Sequence, residues 1–439
     1  MTKIIKTITY KKVCSSIVLH KAWNQIYENG LRSNSRETRS EISRFKEEER
    51  SNIDRIYRQL FNKKFDFKNN KGIMAGKKKK RPVVLAPVES RIVQRAILDV
   101  LQSNPEIEKF LRSKGSYGAI KSFKDMNKGV PAAIYDLVNA INSGATTYYK
   151  SDIKSFFTQI SRAEVIKKIS ATITDQDFLD LLEKATNLEV SNISLLPEKE
   201  RKFFKFDMIG TPQGCCLSPL LGNILLYEFD NELNRNGITC LRYLDDFILL
   251  GKGWKNVKAA FDKAIQILDS SGLSAYTLND DSTKAKSGNI TDKFEFLGVE
   301  FKGNNIRPNK DSRTRLLKSI EELFKDCVSQ DYSNKATREQ QESSLVNTLY
   351  TINNKLLGWG NQYYFCNDEA IWGSLDAEVD ELLKKYLSRY NAKKNKVDIK
   401  QRRRMLGMHL ISDSKKLPLL LSSSKNEEPQ VSEIIQCDT

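Results

Sequence analysis

Three aspartates carry the most suggestive chemistry in this sequence. Asp152 ends the stretch Tyr148-Tyr149-Lys150-Ser151-Asp152, which continues into Ile153, and Asp245 and Asp246 stand together between apolar runs at residues 238–243 and 247–250. Ionised carboxylates crowded at a buried turn repel one another and call for a cation. Magnesium takes oxygen ligands, and its sites around polyphosphates use one or two carboxylates together with the phosphates. Two such ions can activate a hydroxyl and neutralise a departing pyrophosphate, which is what adding a nucleotide to a strand end requires. By itself the tetrad Tyr243-Leu244-Asp245-Asp246 is weak evidence, because Asp is an ordinary turn residue. It gains weight if the strand ending in Asp152 is its neighbour.

The surrounding pattern supplies elements that could hold those acids. The two apolar runs flanking Asp245 and Asp246 read as a β-hairpin with the acids at its tip, and residues 148–153 read as a strand with Phe156 and Phe157 just beyond. In GTPQGCCLSPLLGNILLYEFDNEL, Ser218 is expected to cap a helix and Pro219 to sit in its first turn. Leu220, Leu221, Ile224, Leu225 and Phe229 form one stripe, so a loop delivers Pro212-Gln213-Gly214 to the mouth of that helix. Residues 20–65 have helical periodicity through Trp23, Ile26, Tyr27, Ile53, Ile56, Tyr57 and Leu60. A basic run at 77–81 then opens a strand at Pro82, Val83, Val84 and Leu85. From Arg313 to about Tyr390, three stripes imply a helical bundle: Leu316, Ile320 and Phe324; Leu345, Leu349, Ile352 and Leu356; Leu375, Val379, Leu382 and Tyr386. A basic patch at Arg402, Arg403 and Arg404 precedes an apolar island at 417–421 and a polar tail expected to be mobile.

Composition narrows the partners. Over 439 residues, 72 Lys and Arg against 55 Asp and Glu leave a net charge of +17, the footprint of a protein that meets a polyanion. Seven cysteines without a CxxC pair and only two histidines argue against a zinc module or a disulfide framework. No apolar run reaches membrane-spanning length, and the absence of a secretory pattern leads to an expectation of a cytoplasmic protein without a membrane partner.

Six segments, in order, resemble a bacterial reverse transcriptase of the group II intron-like lineage. RPVVLAPVESRIVQRAI with SYG resembles the fingers, KSDIKSFFTQI the first catalytic motif and GTPQGCCLSPLLGNILLYEFD the second. RYLDDFILL resembles the metal-binding motif, FEFLGVEF the primer grip and LLGWGNQYY the thumb or maturase-like region. The resemblance covers most of residues 20–390. It implies an α+β, right-handed polymerase fold: an N-terminal helical region and fingers at 1–145, an antiparallel-sheet palm at 146–305 with a fingers insertion at about 160–208, a helical thumb at 306–400, and a basic patch and tail at 401–439.

Carried over residue by residue, the resemblance makes Asp152, Asp245 and Asp246 the catalytic metal ligands, with Ile153 in the metal set, for two Mg2+ ions that Mn2+ could replace. Phe157 matches the aromatic that blocks a ribose 2′-hydroxyl. Gln213 and Gly214 would contact the incoming deoxynucleotide, Arg81 and a lysine such as Lys79 its triphosphate, and Lys284 the departing pyrophosphate. Arg91, Tyr243, Phe296, Leu297, Gly298 and Trp359 fall in primer or template positions; for Trp359, Tyr363 and Tyr364, packing within the helical bundle is the competing role.

The chain also departs from the family. Intron enzymes follow Ser-Tyr-Gly with a bulky aromatic and an arginine, whereas here Ala119 and Ile120 follow Gly118, so a template contact is expected to be missing. No Cys-rich or His-rich endonuclease module follows the thumb segment, and the Val-Thr-Gly thumb triplet of retron enzymes is not found after Phe301. The pattern resembles most the defence-associated reverse transcriptases of the unknown groups, which implies a dedicated non-coding RNA as template, a DNA product and an antiphage role. The rival expectation is a maturase-like splicing cofactor that only clamps RNA. Oligomeric state and priming mechanism are left open.

Overall fold

The computed structural model describes residues 9–33, 35–76, 81–187, 189–204, 209–211, 214–280, 283–332 and 341–411. Two units partition the chain, one comprising residues 1–309 with 365–367 and the other 310–364 with 368–439.

In the first unit, helices Ser16–Leu31, Arg36–Glu47 and Glu49–Phe61 bury Leu19, Trp23, Ile42, Phe45, Ile53, Ile56 and Leu60. The apolar spacing read from 20–65 thus produces a helical lobe, which packs on the more deeply buried helix Val88–Gln102. Strands β1 (Lys71–Ala75) and β2 (Arg81–Leu85) pair antiparallel, with Ala75 opposite Arg81. The basic residues 77–80 connect them and lie outside the described residues.

The sheet that matters most contains β3 (Thr147–Asp152), β4 (Thr239–Tyr243), β5 (Asp246–Gly251) and β6 (Lys286–Asn289), in the order β4-β5-β3-β6 and antiparallel throughout. Its register sets Asp152 opposite Asp246, and Tyr243 opposite Asp246 on the other side. One face is covered by helix Trp254–Ser270, where Phe261 stacks on Tyr149 at 3.7 Å, and by helix Tyr227–Leu233, where Phe229 meets Phe247 edge-on at 5.4 Å. A second sheet of β7 (Phe294–Phe296), β8 (Val299–Lys302) and β9 (Asn305–Pro308) follows.

The helix after the Pro-Gln-Gly loop differs from its sequence expectation. Leu217 occupies the capping position, so Ser218 is the first helical residue of Ser218–Leu225. The apolar stripe is also split, because Leu226 leaves helical geometry at φ −89°, ψ 12° and a second helix, Tyr227–Leu233, begins after it. All five stripe residues are nevertheless buried. Gly222 is needed within it: a Cβ there would come within 2.7 Å of the Phe156 ring.

The second unit contains helices Lys310–Ser329, Leu345–Tyr363, Glu369–Lys394 and Ile399–Leu406. Leu316, Ile320, Phe324, Ile352 and Tyr386 form its core, with Phe324 stacked on Tyr386 at 5.4 Å. The stripe on Leu345–Tyr363 is only partly used, and Leu349 is exposed, because this helix packs chiefly against Lys310–Ser329 rather than between two partners. The island at 417–421 and the tail lie outside the described residues. Among the described residues, no helix is long and apolar enough to cross a membrane.

Candidate active site

The two segments bearing the acids are joined edge to edge. β3 delivers Asp152, which is largely buried, and the β4–β5 turn delivers Leu244, Asp245 and the first residue of β5, Asp246. The Ile153 amide donates to the Asp245 carbonyl at 2.9 Å, locking the end of β3 to the turn. Burial, then the charge of Asp152, raises the Asp245 carboxyl above its usual range. Asp246 keeps an exposed face, but the protein around it removes enough water, with the charges of Asp245 and Asp152 added, to push it up to about 6. The cluster is therefore short of positive charge.

Among the described residues, Lys284 brings a cation to the cluster, its ammonium donating to Asp152 Oδ2. Burial opposes its charge, yet the bond to Asp152 and the neighbouring carboxylates raise its pKa overall. Among the described residues, no group of three or more His, Cys, Asp or Glu side chains is closed into a metal-ligand set. The donor chemistry of Asp152, Asp245 and Asp246, all carboxylate oxygen, does fit a hard divalent ion, which would also relieve the crowding.

A cavity of about 680 Å3 opens beside these groups. Arg81, Asp152, Ile153, Phe157, Gly214, Asp245 and Lys284 all line it, so most of the residues expected at metal and nucleotide positions converge on one space. Ser155 adopts a left-handed conformation (φ 50°, ψ 37°) that ends β3 and starts the short turn of helix bearing Phe157. The Phe157 carbonyl in turn accepts from the Thr211 amide at 2.7 Å, which ties the aromatic to the loop entering Gly214. Gly214 has φ +105°, and a Cβ there would stand 2.7 Å from the Val84 carbonyl, so glycine allows this loop to lie against β2. Lys79 and Gln213 lie outside the described residues.

The remaining candidates occupy other places. Tyr243 closes β4 next to the acids. Phe296 is buried, and Leu297 (φ 50°) and Gly298 (φ 79°) form the two-residue turn between β7 and β8. Arg91 is mostly buried on helix Val88–Gln102, where it pairs with Glu41 at 3.2 Å. Trp359, in the second unit, packs against that unit's core and lies 4.7 Å from the Tyr363 ring, while Tyr364 is exposed. Burial raises the Cys215 thiol to about 11 and raises Cys216 as well, which suits packing residues rather than nucleophiles.

Sequence reasoning missed the groups beneath the turn. Arg242 and Asp230, 0% and 1% exposed, form a two-pronged ion pair at 2.6 Å, with Asn223 and Ser116 completing the cluster. Both ends of the signal were visible: Arg242 opens RYLDDFILL and Asp230 closes the segment containing Asn223. Tyr276, Lys202 and Phe203 also line the cavity without having been anticipated.

A family model described as reverse transcriptase (RNA-dependent DNA polymerase) matches residues 63–301, more than half of the chain. The chain is 28% identical over 186 residues to an uncharacterized 91 kDa protein in the cob intron of Schizosaccharomyces pombe, covering 40% of this chain and 20% of that protein. It is 26% identical over 254 residues to protein YkfC of Escherichia coli, covering 50% and 62%. Each match thus spans less than two thirds of the curated relative. Among solved structures, telomerase from Candida albicans aligns with 12% identity and a TM-score of 0.41, covering 75% of this chain and 61% of that one. With a family match across the acid-bearing strands and an α+β architecture of helices and antiparallel sheets, the chain belongs to the reverse transcriptase family and has its polymerase fold.

Proposed function

We propose that this protein is an RNA-directed DNA polymerase that adds deoxynucleotides to a primer end at Asp152, Asp245 and Asp246. The observation that carries the reading is the convergence of Asp152, Asp245, Arg81, Phe157 and Gly214 on one cavity of about 680 Å3, with Asp246 paired opposite Asp152 at its edge in the sheet. Magnesium held by the three carboxylates would activate the 3′-hydroxyl and neutralise charge on the triphosphate. The chain's own residues do the rest. Arg81, exposed at the start of β2, can grip phosphate oxygens with its planar fork. Phe157 presents an aromatic wall against the sugar, and the Lys284 ammonium stands next to the acids, where negative charge builds up on pyrophosphate. Leu297 and Gly298 provide a tight turn for holding the primer.

Extension of a primer on an RNA template, with magnesium and deoxynucleotides, tests the reading. Template-dependent DNA is the expected product; tight RNA binding with no synthesis on any template, including co-purified RNA, would overturn it. That result would favour a splicing cofactor, a second reading supported by the Schizosaccharomyces pombe relative, whose name places it in an intron. The finer assignment, a dedicated non-coding RNA copied in antiphage defence, rests on the sequence resemblance. Sequencing the RNA that co-purifies from the native host tests it: one structured non-coding RNA supports the assignment, and intron RNA contradicts it.

A further inference from the structure

An arginine wholly out of water directly below a catalytic turn needs a reason. Each of the five N–H groups of Arg242 has an acceptor. Nε and one Nη2 hydrogen go to Asp230 at 2.6 Å each, and the other Nη2 hydrogen goes to Ser116 Oγ at 2.9 Å. Nη1 donates to Asn223 Oδ1 at 3.1 Å and to the Leu244 carbonyl at 3.0 Å. The Arg242 backbone is fixed too, its amide donating to the Gly115 carbonyl at 2.6 Å and its carbonyl accepting from the Tyr117 amide at 2.9 Å.

A buried ion pair is a poor route to stability, because the desolvation of both charges can exceed their attraction, and an apolar pair of similar volume often serves as well. What an apolar pair could not do is hold the Leu244 carbonyl. Leu244 sits at φ +59°, a conformation side chains rarely adopt, and its peptide leads directly into Asp245. Close by, Gly118 leaves room for this turn: a Cβ there would come within 2.7 Å of the Leu244 amide nitrogen. The Asp245 carbonyl is held from the opposite side by the Ile153 amide. Two consecutive carbonyls are thus pinned, one by a guanidinium below the turn and one by the strand that carries Asp152.

We infer that Arg242 is a positioning residue for the polymerase centre, gripping the Leu244 carbonyl so that Asp245 is held facing Asp152, with Asp230 and Asn223 orienting its guanidinium. The inference rests on the reading of Asp245 as a catalytic acid. The decisive variant is Arg242→Met with Asp230→Leu, which removes both charges together and avoids leaving one buried alone. Its melting temperature should stay close to that of the intact protein. Its kcat should fall by about 10²-fold with KM for the nucleotide unchanged, as expected when reacting groups are misplaced rather than binding lost. Hydrogen exchange of the peptide containing Ile153 should accelerate. Arg242→Lys, which retains charge without the planar fork, should show the same kcat loss, and Leu268→Ala, a buried truncation on the helix Trp254–Ser270, controls for lost stability.

A folded double variant with normal kcat and normal Ile153 protection would overturn the inference, as would equal acceleration of exchange in Leu268→Ala. If the double variant does not fold, Arg242→Lys decides by the same two readouts. If the intact protein itself makes no DNA, the polymerase reading fails, and the exchange measurement alone still judges whether Arg242 holds the turn.

Discussion

The β4–β5 turn and the helical unit beginning at Lys310 are held together by opposite means. Under the turn, Arg242, Asp230, Asn223 and Ser116 are buried and hydrogen-bonded to one another, so direction is specified at each contact. In the helical unit, Leu316, Ile320, Phe324 and Ile352 meet through apolar contact, and charge is kept to the surface in pairs such as Glu321 with Lys385 at 3.1 Å. Apolar packing fills volume and tolerates small shifts in position. A hydrogen-bonded buried cluster fails sharply when one member is lost, so its placement below the acids ties their geometry to an all-or-none element.

The contrast can be broken by measurement. Asp230→Ala leaves the Arg242 charge buried without its partner and should cost about 3–5 kcal/mol in denaturant unfolding; a loss no larger than an exposed pair's, about 0–1 kcal/mol, would erase the distinction. Ile320→Val, in the apolar core, should cost only about 0.5–1.5 kcal/mol by the same assay.

Two pH experiments sharpen it further. Burial lowers Lys128, whose ammonium donates to the Ser113 and Ser116 carbonyls, to about 8. Between that value and the unfolded lysine range, the unfolded chain binds more protons, so stability should rise with pH from 8 towards 10 and this rise should vanish in Lys128→Met. Glu321 has the opposite sense: hydrogen bonds from Lys385, Tyr386 and Lys325 lower it to about 2. Its contribution is present above the unfolded glutamate range and lost as pH falls towards 2, so the small gap in melting temperature between the intact protein and Glu321→Gln should close there. Added salt should shrink the Glu321 gap and leave the Arg242–Asp230 cluster nearly untouched.

Much of this was legible before the fold was known. Helix stripes and the hairpin around Asp245 follow from local periodicity. The antiparallel register that sets Asp152 beside Asp246 was not legible, since the partners are 94 positions apart and pairing depends on the whole sheet. Arg242 was hidden for a different reason. An arginine in an alternating strand reads as its solvent face, and only the tertiary arrival of Asp230 and the segment around Ser116 makes its burial possible. Ser218 was misplaced by one position because serine is equally at home at a cap and in the first turn, where Leu217 precedes it.

The most direct test compares the intact protein with Asp245→Ala, Asp246→Ala in primer extension on RNA with magnesium, alongside RNA binding by both. Template-dependent DNA from the intact protein alone, with equal RNA binding, is the outcome expected of a carboxylate-held metal centre; undiminished synthesis by the double variant would place the chemistry elsewhere in the molecule.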